Sequence, residues 1–105
     1  MNDTKTNIIK VSGKNIDNFF QNLITNDINL LTSKNAIYSA LLTPQGKYLY
    51  DFFIIRDEKS LLIECNQNKT SSLINEIKKY DIRDEIKTSI NTTYNTFVVL
   101  KKDLK

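Results

Sequence analysis

The tetrapeptide Thr43-Pro44-Gln45-Gly46 contains the only proline of the chain and one of its two glycines, and it separates two runs rich in branched and aromatic residues. Pro44 pre-sets φ for the second position of a turn and Gly46 tolerates the positive φ needed at its exit, so the chain is expected to reverse there. Ala36 to Leu42 and Lys47 to Ile55 then become the two arms of an antiparallel hairpin. Arg56-Asp57-Glu58-Lys59 reads as a charged connection, and Ser60 to Cys65 as a third antiparallel strand continuing the meander.

The flanking segments alternate strand and helix signals. Ile8-Ile9-Lys10-Val11, closed by Ser12-Gly13, reads as a first strand. Asn15 and Asp17 offer N-cap oxygens, after which Ile16, Phe19, Phe20, Leu23, Ile24 and Ile28 recur at three- and four-residue spacing, predicting a helix with one apolar stripe. Thr70, Ser71 and Ser72 are candidate caps for a second helix whose Leu73, Ile74, Ile77 and Tyr80 share a face, with Asp81 to Glu85 as a polar exit. Lys87 to Ile90 and Phe97 to Leu100 read as closing strands joined by a turn at Asn91-Thr92-Thr93. The order β-α-β-β-β-α-β-β predicts an α+β fold, an antiparallel sheet with two helices on one face in a ferredoxin-like split β-α-β arrangement.

Residues 1–105 fit one domain, and an apolar content of 40% with 26% charged residues is that of a folded core. A net charge of +3 is too small to signal nucleic-acid binding. The basic end Lys101-Lys102-Asp103-Leu104-Lys105 reads as a solvated terminus. With no His and one Cys, the usual neutral-pH base and thiolate metal sites are missing, which argues against hydrolytic triads and structural zinc. The two glycines, Gly13 and Gly46, do not form a phosphate loop. Cys65, preceded by Leu61-Leu62-Ile63, reads as a small buried hydrophobe. No apolar run reaches the roughly 18 residues of a membrane span, and the first residues lack the apolar core of a secretory signal. With a single thiol, a reducing cytoplasmic location is expected.

Asp51 is the residue that asks for an explanation. Strict alternation puts it with Leu49, Phe53 and Ile55, opposite Tyr48, Tyr50, Phe52 and Ile54. A carboxylate among apolar neighbours must reach water or be met by donors. Beside flat aromatic surfaces it suits a planar ligand with adjacent N–H groups, because a carboxylate accepts two parallel hydrogen bonds. A solvated or structurally paired Asp51 is the other reading. Tyr48, Tyr50 and Phe52 could alternatively stack single-stranded RNA, and a structural fragment needing a partner chain is a third possibility.

Phe20-Gln21-Asn22-Leu23-Ile24-Thr25-Asn26-Asp27, followed by Ala40 to Gly46 and Lys47-Tyr48-Leu49-Tyr50-Asp51-Phe52-Phe53-Ile54, resembles the N-terminal domain of the YgfZ-type folate-binding proteins, relatives of the glycine-cleavage T-protein, an aminomethyltransferase. Lys79-Tyr80-Asp81-Ile82-Arg83 is similar to that family's Tyr-x-Leu-Arg stretch. The resemblance implies a tetrahydrofolate-binding module that supports iron–sulfur cluster assembly or repair, with iron–sulfur client proteins, among them tRNA-modifying enzymes, as partners. It further implies that Asp51 lies against the pterin ring, and that Thr25, Asn26, Asp27, Gln45 and Tyr50 are folate-site positions. The T-protein pattern has two adjacent acids where this chain has Tyr50-Asp51, so ring recognition is implied more than aminomethyl transfer. The family signature Lys-Gly-Cys-Tyr-x-Gly-Gln-Glu has no match in these residues, and Cys65, between Glu64 and Asn66, is not its cysteine. A truncated product, half of a split protein or a one-domain piece is therefore expected. A chain carrying the missing C-terminal part would be its partner, and catalysis by this chain alone is not expected.

Overall fold

A computed structural model describes residues 6–91 together with Asp103 and Leu104. The elements are β1 (Thr6–Gly13), α1 (Ile16–Gln21), β2 (Asn35–Leu42), β3 (Tyr48–Asp57), β4 (Ser60–Asn66), α2 (Thr70–Lys79), β5 (Ile86–Asn91) and β6 (Asp103–Leu104), with 3-10 turns at Ile28–Leu30 and Gln67–Lys69. They form one sheet in the order β5-β1-β4-β3-β2-β6. Every pairing is antiparallel except the short contact of β6 with Asn35 and Ala36 of β2. The expected α+β class, antiparallel sheet and pair of helices on one face are what the chain builds.

The split β-α-β unit occurs once. β4 and β5 both run antiparallel to β1, which lies between them, and α2 makes the crossover. Around α1 the topology differs from a ferredoxin-like sheet, because both β4 and β3 separate β1 from β2. The strand expected at Phe97 to Leu100, the turn at Thr92-Thr93 and most of the basic end lie outside the described residues.

The hairpin forms as the sequence dictates. Thr43 N–H donates to the Lys47 carbonyl at 2.7 Å, Gly46 N–H donates to the Thr43 carbonyl at 2.8 Å, and Gly46 adopts φ +86°. The register then places Tyr38 opposite Phe53 and Ala40 opposite Asp51. Between Leu41 and Leu42 the ladder shifts: Leu41 faces Tyr50 and Leu42 faces Tyr48, leaving Leu49 as an extra residue on β3. This is a β-bulge, and it breaks the alternation of sides.

α1 is shorter than the apolar periodicity predicts. It ends at Gln21, after which Ile24 forms a bridge with Leu41 and Thr25 N–H donates to the Ala40 carbonyl at 3.1 Å. Thr25, Asn26 and Asp27 carry side chains that compete for backbone groups, so they favour this extended course along the edge of β2 over a helix interior. The stripe is buried all the same: Ile16, Phe20 and Ile28 are buried, with Leu23 and Ile24 packed beside them. Neither expected cap forms as anticipated. Asn15 sits at φ +56° without a side-chain cap, and the Asp17 carboxylate instead accepts both Arg56 guanidinium nitrogens, at 2.9 and 2.6 Å. α2 begins at Thr70, whose hydroxyl donates to the Asn66 carbonyl at 3.1 Å rather than capping the helix.

The main core fills the helix side of the sheet, with Ile9, Val11, Ile37, Leu41, Phe52, Ile54, Leu61 and Ile63 from the strands against Phe20, Leu73 and Ile77 from the helices. A smaller cluster of Ile8, Ala36, Ile55 and Leu62, with Phe53 beside it, lies on the other side. Gly13 lets β1 and β5 approach closely, since a Cβ there would stand 2.4 Å from the Glu85 carbonyl oxygen. Among the described residues no helix is long and apolar enough to cross a membrane.

Candidate functional site

The hairpin carries the site. Asp51 is diagonal to Tyr38 across the β2–β3 ladder, and the Tyr38 hydroxyl donates to Asp51 Oδ2. The Tyr48 hydroxyl lies close enough to the same carboxylate to shift its ionisation. The bulge makes this second approach possible. Strict alternation would place Tyr48 opposite Asp51 and Leu49 beside it, whereas Leu49 and Tyr50 both pack against the main core and Tyr48 joins Asp51. Phe53 extends the patch, with its ring centroid 5.2 Å from that of Tyr38 and the planes tilted by 57°. Tyr38 is 47% and Tyr48 55% exposed, so the group is a surface feature that a ligand can reach.

The electrostatics follow from those contacts. Partial burial pushes the Asp51 carboxyl up, but the hydrogen bond from Tyr38, the nearby Tyr48 hydroxyl, its own backbone and the charge of Lys69 outweigh burial and hold it below the usual carboxylate value. The phenols move the opposite way. The hydrogen bond to Asp51, desolvation and the repulsion of its charge raise Tyr38, and the proximity of Asp51, desolvation and a further contribution from Tyr38 push Tyr48 up to about 12. Near neutral pH the arrangement is a fixed anion flanked by two neutral hydroxyls. A carboxylate has about four acceptor positions, so two tyrosines leave room for a donor pair from a ligand.

Thr25 and Asn26 lie on the far side of β2 and act on this cluster through its backbone. Ala40 N–H donates to Thr25 Oγ1 at 3.1 Å, Asn26 Nδ2 donates to the Tyr38 carbonyl at 2.9 Å, and Asn26 N–H donates to the buried Ser39 hydroxyl at 3.1 Å. They hold the stretch that presents Tyr38. Asp27 does not join them: its carboxylate accepts from Asn29 N–H at 3.0 Å and starts the 3-10 turn. Gln45 is exposed at the hairpin tip, and Tyr50 is on the helix side.

Sequence reasoning missed Tyr38 and the side taken by Tyr48. The hairpin register, once the turn is placed, was the available signal for Tyr38. The RNA-stacking surface of Tyr48, Tyr50 and Phe52 does not form, because Phe52 is 2% exposed in the main core and Tyr50 packs against it.

A second carboxylate, Glu64, faces Phe53 and Ile8 in the ladder. It is 6% exposed. Thr6 Oγ1 donates to its Oε2 at 2.8 Å, whereas Oε1 has no partner among the described residues. Burial pushes this carboxyl up, against the hydrogen bond from Thr6. Among the described residues no three His, Cys, Asp or Glu side chains converge as metal ligands.

No family model matches the chain. It is 34% identical over 89 residues to the mitochondrial iron–sulfur cluster assembly factor IBA57 homolog of Neurospora crassa, a match covering 78% of this chain and 20% of that protein. Over 73 residues it is 36% identical to the aminomethyltransferase of Staphylococcus epidermidis, covering 69% of this chain and 20% of the enzyme. The crystal structure of the glycine cleavage system aminomethyltransferase T from Bartonella henselae superposes with a TM-score of 0.72 at 22% identity, over 82% of this chain and 24% of that one. The chain thus spans about a fifth to a quarter of the length of these relatives. The assembly factors are mitochondrial proteins, which overturns the cytoplasmic placement expected from the sequence. A single unpaired cysteine fits either compartment, so composition never separated the two.

Proposed function

Because the chain belongs to the group of proteins related to aminomethyltransferases and to the IBA57-type iron–sulfur cluster assembly factors, we propose that it is a reduced-folate-binding module serving iron–sulfur cluster assembly. The observation that carries the folate reading is the Asp51 carboxylate, kept ionised by the Tyr38 and Tyr48 hydroxyls on an accessible face beside Phe53. The pterin ring of a tetrahydrofolate presents adjacent N–H groups on a flat edge. Asp51 would accept them as a pair, and the rings of Tyr38 and Phe53 would border the heterocycle. When bound, the folate would supply one-carbon carrier chemistry. This chain's own part is to bind and orient the ring, with Thr25 and Asn26 fixing the strand from which Tyr38 reaches Asp51.

The short span relative to the relatives supports a second element of the reading, that the module works with a further polypeptide part supplying the rest of the pocket. One flat patch buries little of a ligand, so the affinity of the chain alone would be low, with a Kd on the order of 0.1–1 mM. The test is a set of amide NMR spectra of the chain titrated with tetrahydrofolate. Saturating shifts at residues 38–40 and 51–53, weakened about tenfold in Asp51→Asn, are expected. A spectrum unmoved by millimolar tetrahydrofolate, or an affinity unchanged by Asp51→Asn, overturns the folate reading and leaves the kinship untouched.

A further inference from the structure

Glu64 is the only buried carboxyl among the described residues, and the folate contact makes no use of it. The register sets where it points. Ile8 of β1 lies opposite Glu64 of β4, Glu64 opposite Phe53 of β3, and Phe53 opposite Tyr38 of β2. Residues paired in this way project to the same side of a sheet, with β-carbons about 5 Å apart. Glu64 therefore stands beside Phe53 in one row across the strands, on the side that carries Asp51, and the Phe53 ring in turn packs on Tyr38 at 5.2 Å.

These surroundings accept a neutral acid but not a charge. Thr6 Oγ1 satisfies Oε2, and Oε1 is buried without a partner. From β1 the carboxyl meets Thr6 and Ile8, with Lys10 two positions further along the same side, and the Lys10 ammonium is spent on Asp57 at 4.0 Å. From β3 it meets Phe53, flanked on that side by Ile55 and by the Asp51 anion, and the nearby Lys69 charge acts on Asp51. On its own strand Leu62 and Asn66 share its side, whereas the Cys65 thiol turns to the main core and meets Thr70 of α2. Among the described residues no cation pairs with Glu64. Burial accordingly pushes the carboxyl up, against the hydrogen bond from Thr6. The acid form places its proton on Oε1 and leaves one hydroxyl unpaired, a far smaller penalty than an unpaired charge between Ile8 and Phe53. An ionised Glu64 gains solvation only by turning out from between those two side chains.

We propose that Glu64 is a proton-dependent positioning residue of the Asp51 face: with a proton on Oε1 it stays packed between Ile8 and Phe53 and fixes the Phe53–Tyr38 pair, and on losing that proton to water it turns outward and releases the pair. This coupling goes beyond the folate reading and holds whether or not a folate binds.

The test is a pH titration of the whole chain by NMR without ligand, following the Glu64 carboxyl carbon and the ring protons of Phe53 and Tyr38. The Glu64 step is expected above the ordinary 4.5, with both rings shifting at the same midpoint. The Asp51 step falls below 3.8 and is separate. Glu64→Gln keeps an acceptor for Thr6 and cannot ionise, so its rings should hold their low-pH positions and show no such step. Urea unfolding reads the same linkage. The unfolded carboxyl ionises near 4.5 and the folded one higher, so stability should fall as the pH rises between the two values and level off above them, a fall absent from Glu64→Gln. A Glu64 that titrates at or below 4.5 overturns the proposal, because its carboxylate then meets water in the native state. Ring shifts that ignore the Glu64 step, or that survive Glu64→Gln, overturn it as well. Should Glu64→Gln fail to fold, the coincidence or separation of the Glu64 and ring midpoints in the parent decides.

Discussion

Asp51 and its two phenols form a charge-sharing unit whose members shift one another in opposite directions. Tyr48 ionises near 12, above the ordinary phenol value of 10.0, so the stability it contributes is complete below pH 10 and is lost as the pH rises toward 12. Asp51 lies below its usual 3.8, so its contribution is present above that pH and is lost as the pH falls through the lower folded value. An ultraviolet phenolate titration should resolve two delayed tyrosines in the parent, Tyr38 and, latest, Tyr48. Asp51→Asn removes the neighbouring charge, and the late steps should move down toward 10. A Tyr48 that ionises near 10 in both proteins would show that its hydroxyl does not hold Asp51 in solution. Cys65 is the contrasting thiol. It is buried, with Thr70 Oγ1 at 3.6 Å, and burial together with the Glu64 charge pushes it up while the Thr70 contact lowers it. Its labelling by a thiol reagent should therefore run at least about a hundredfold slower in the native protein than in denaturant, tracking the rate at which β4 opens. Labelling at the unfolded rate would mean that β4 is not closed over it.

Among the elements, β1 and β5 depend on the absence of a side chain at Gly13. With φ at +154° and the Glu85 carbonyl 2.4 Å from any Cβ, Gly13→Ala forces two neighbouring backbones apart. It should lower the unfolding free energy by about 3 kcal/mol, measured in urea; a loss below about 0.5 kcal/mol would mean that the strands separate freely there. The strands were legible from Ile8, the Pro44-Gly46 turn and the Leu61–Ile63 run, because each joins a β-rich segment to a local breaker. The length of α1 was not. Leu23, Ile24 and Ile28 satisfy helical spacing, with Ile28 buried and Leu23 and Ile24 partly buried against the core that holds Phe20, yet Thr25 to Asp27 between them bind backbone groups and lie along β2 instead. Asp51 could be found as a carboxylate among aromatics, but its partners could not be read from alternation, because a one-residue bulge exchanges the sides of Leu49 and Tyr48. Caps were legible only as residue types: Asp17 was spent on Arg56, a partner 39 positions away that no local pattern announces.

At the scale of the whole molecule, the sheet has a helix side that is almost wholly apolar and an opposite side that combines the Ile8–Leu62 cluster with Tyr38, Asp51 and Glu64. The main core and the proposed folate contact thereby fall on different sides of the same strands. Residues 48–50 are where the two meet, and the bulge there has a consequence for comparing sequences. A relative shorter by one residue between the glycine turn and the acid would keep every residue type and still bring a different side chain next to its carboxylate. Where an alignment places a single gap in that hairpin therefore decides which phenol is equivalent to Tyr48, and counting identities cannot decide it.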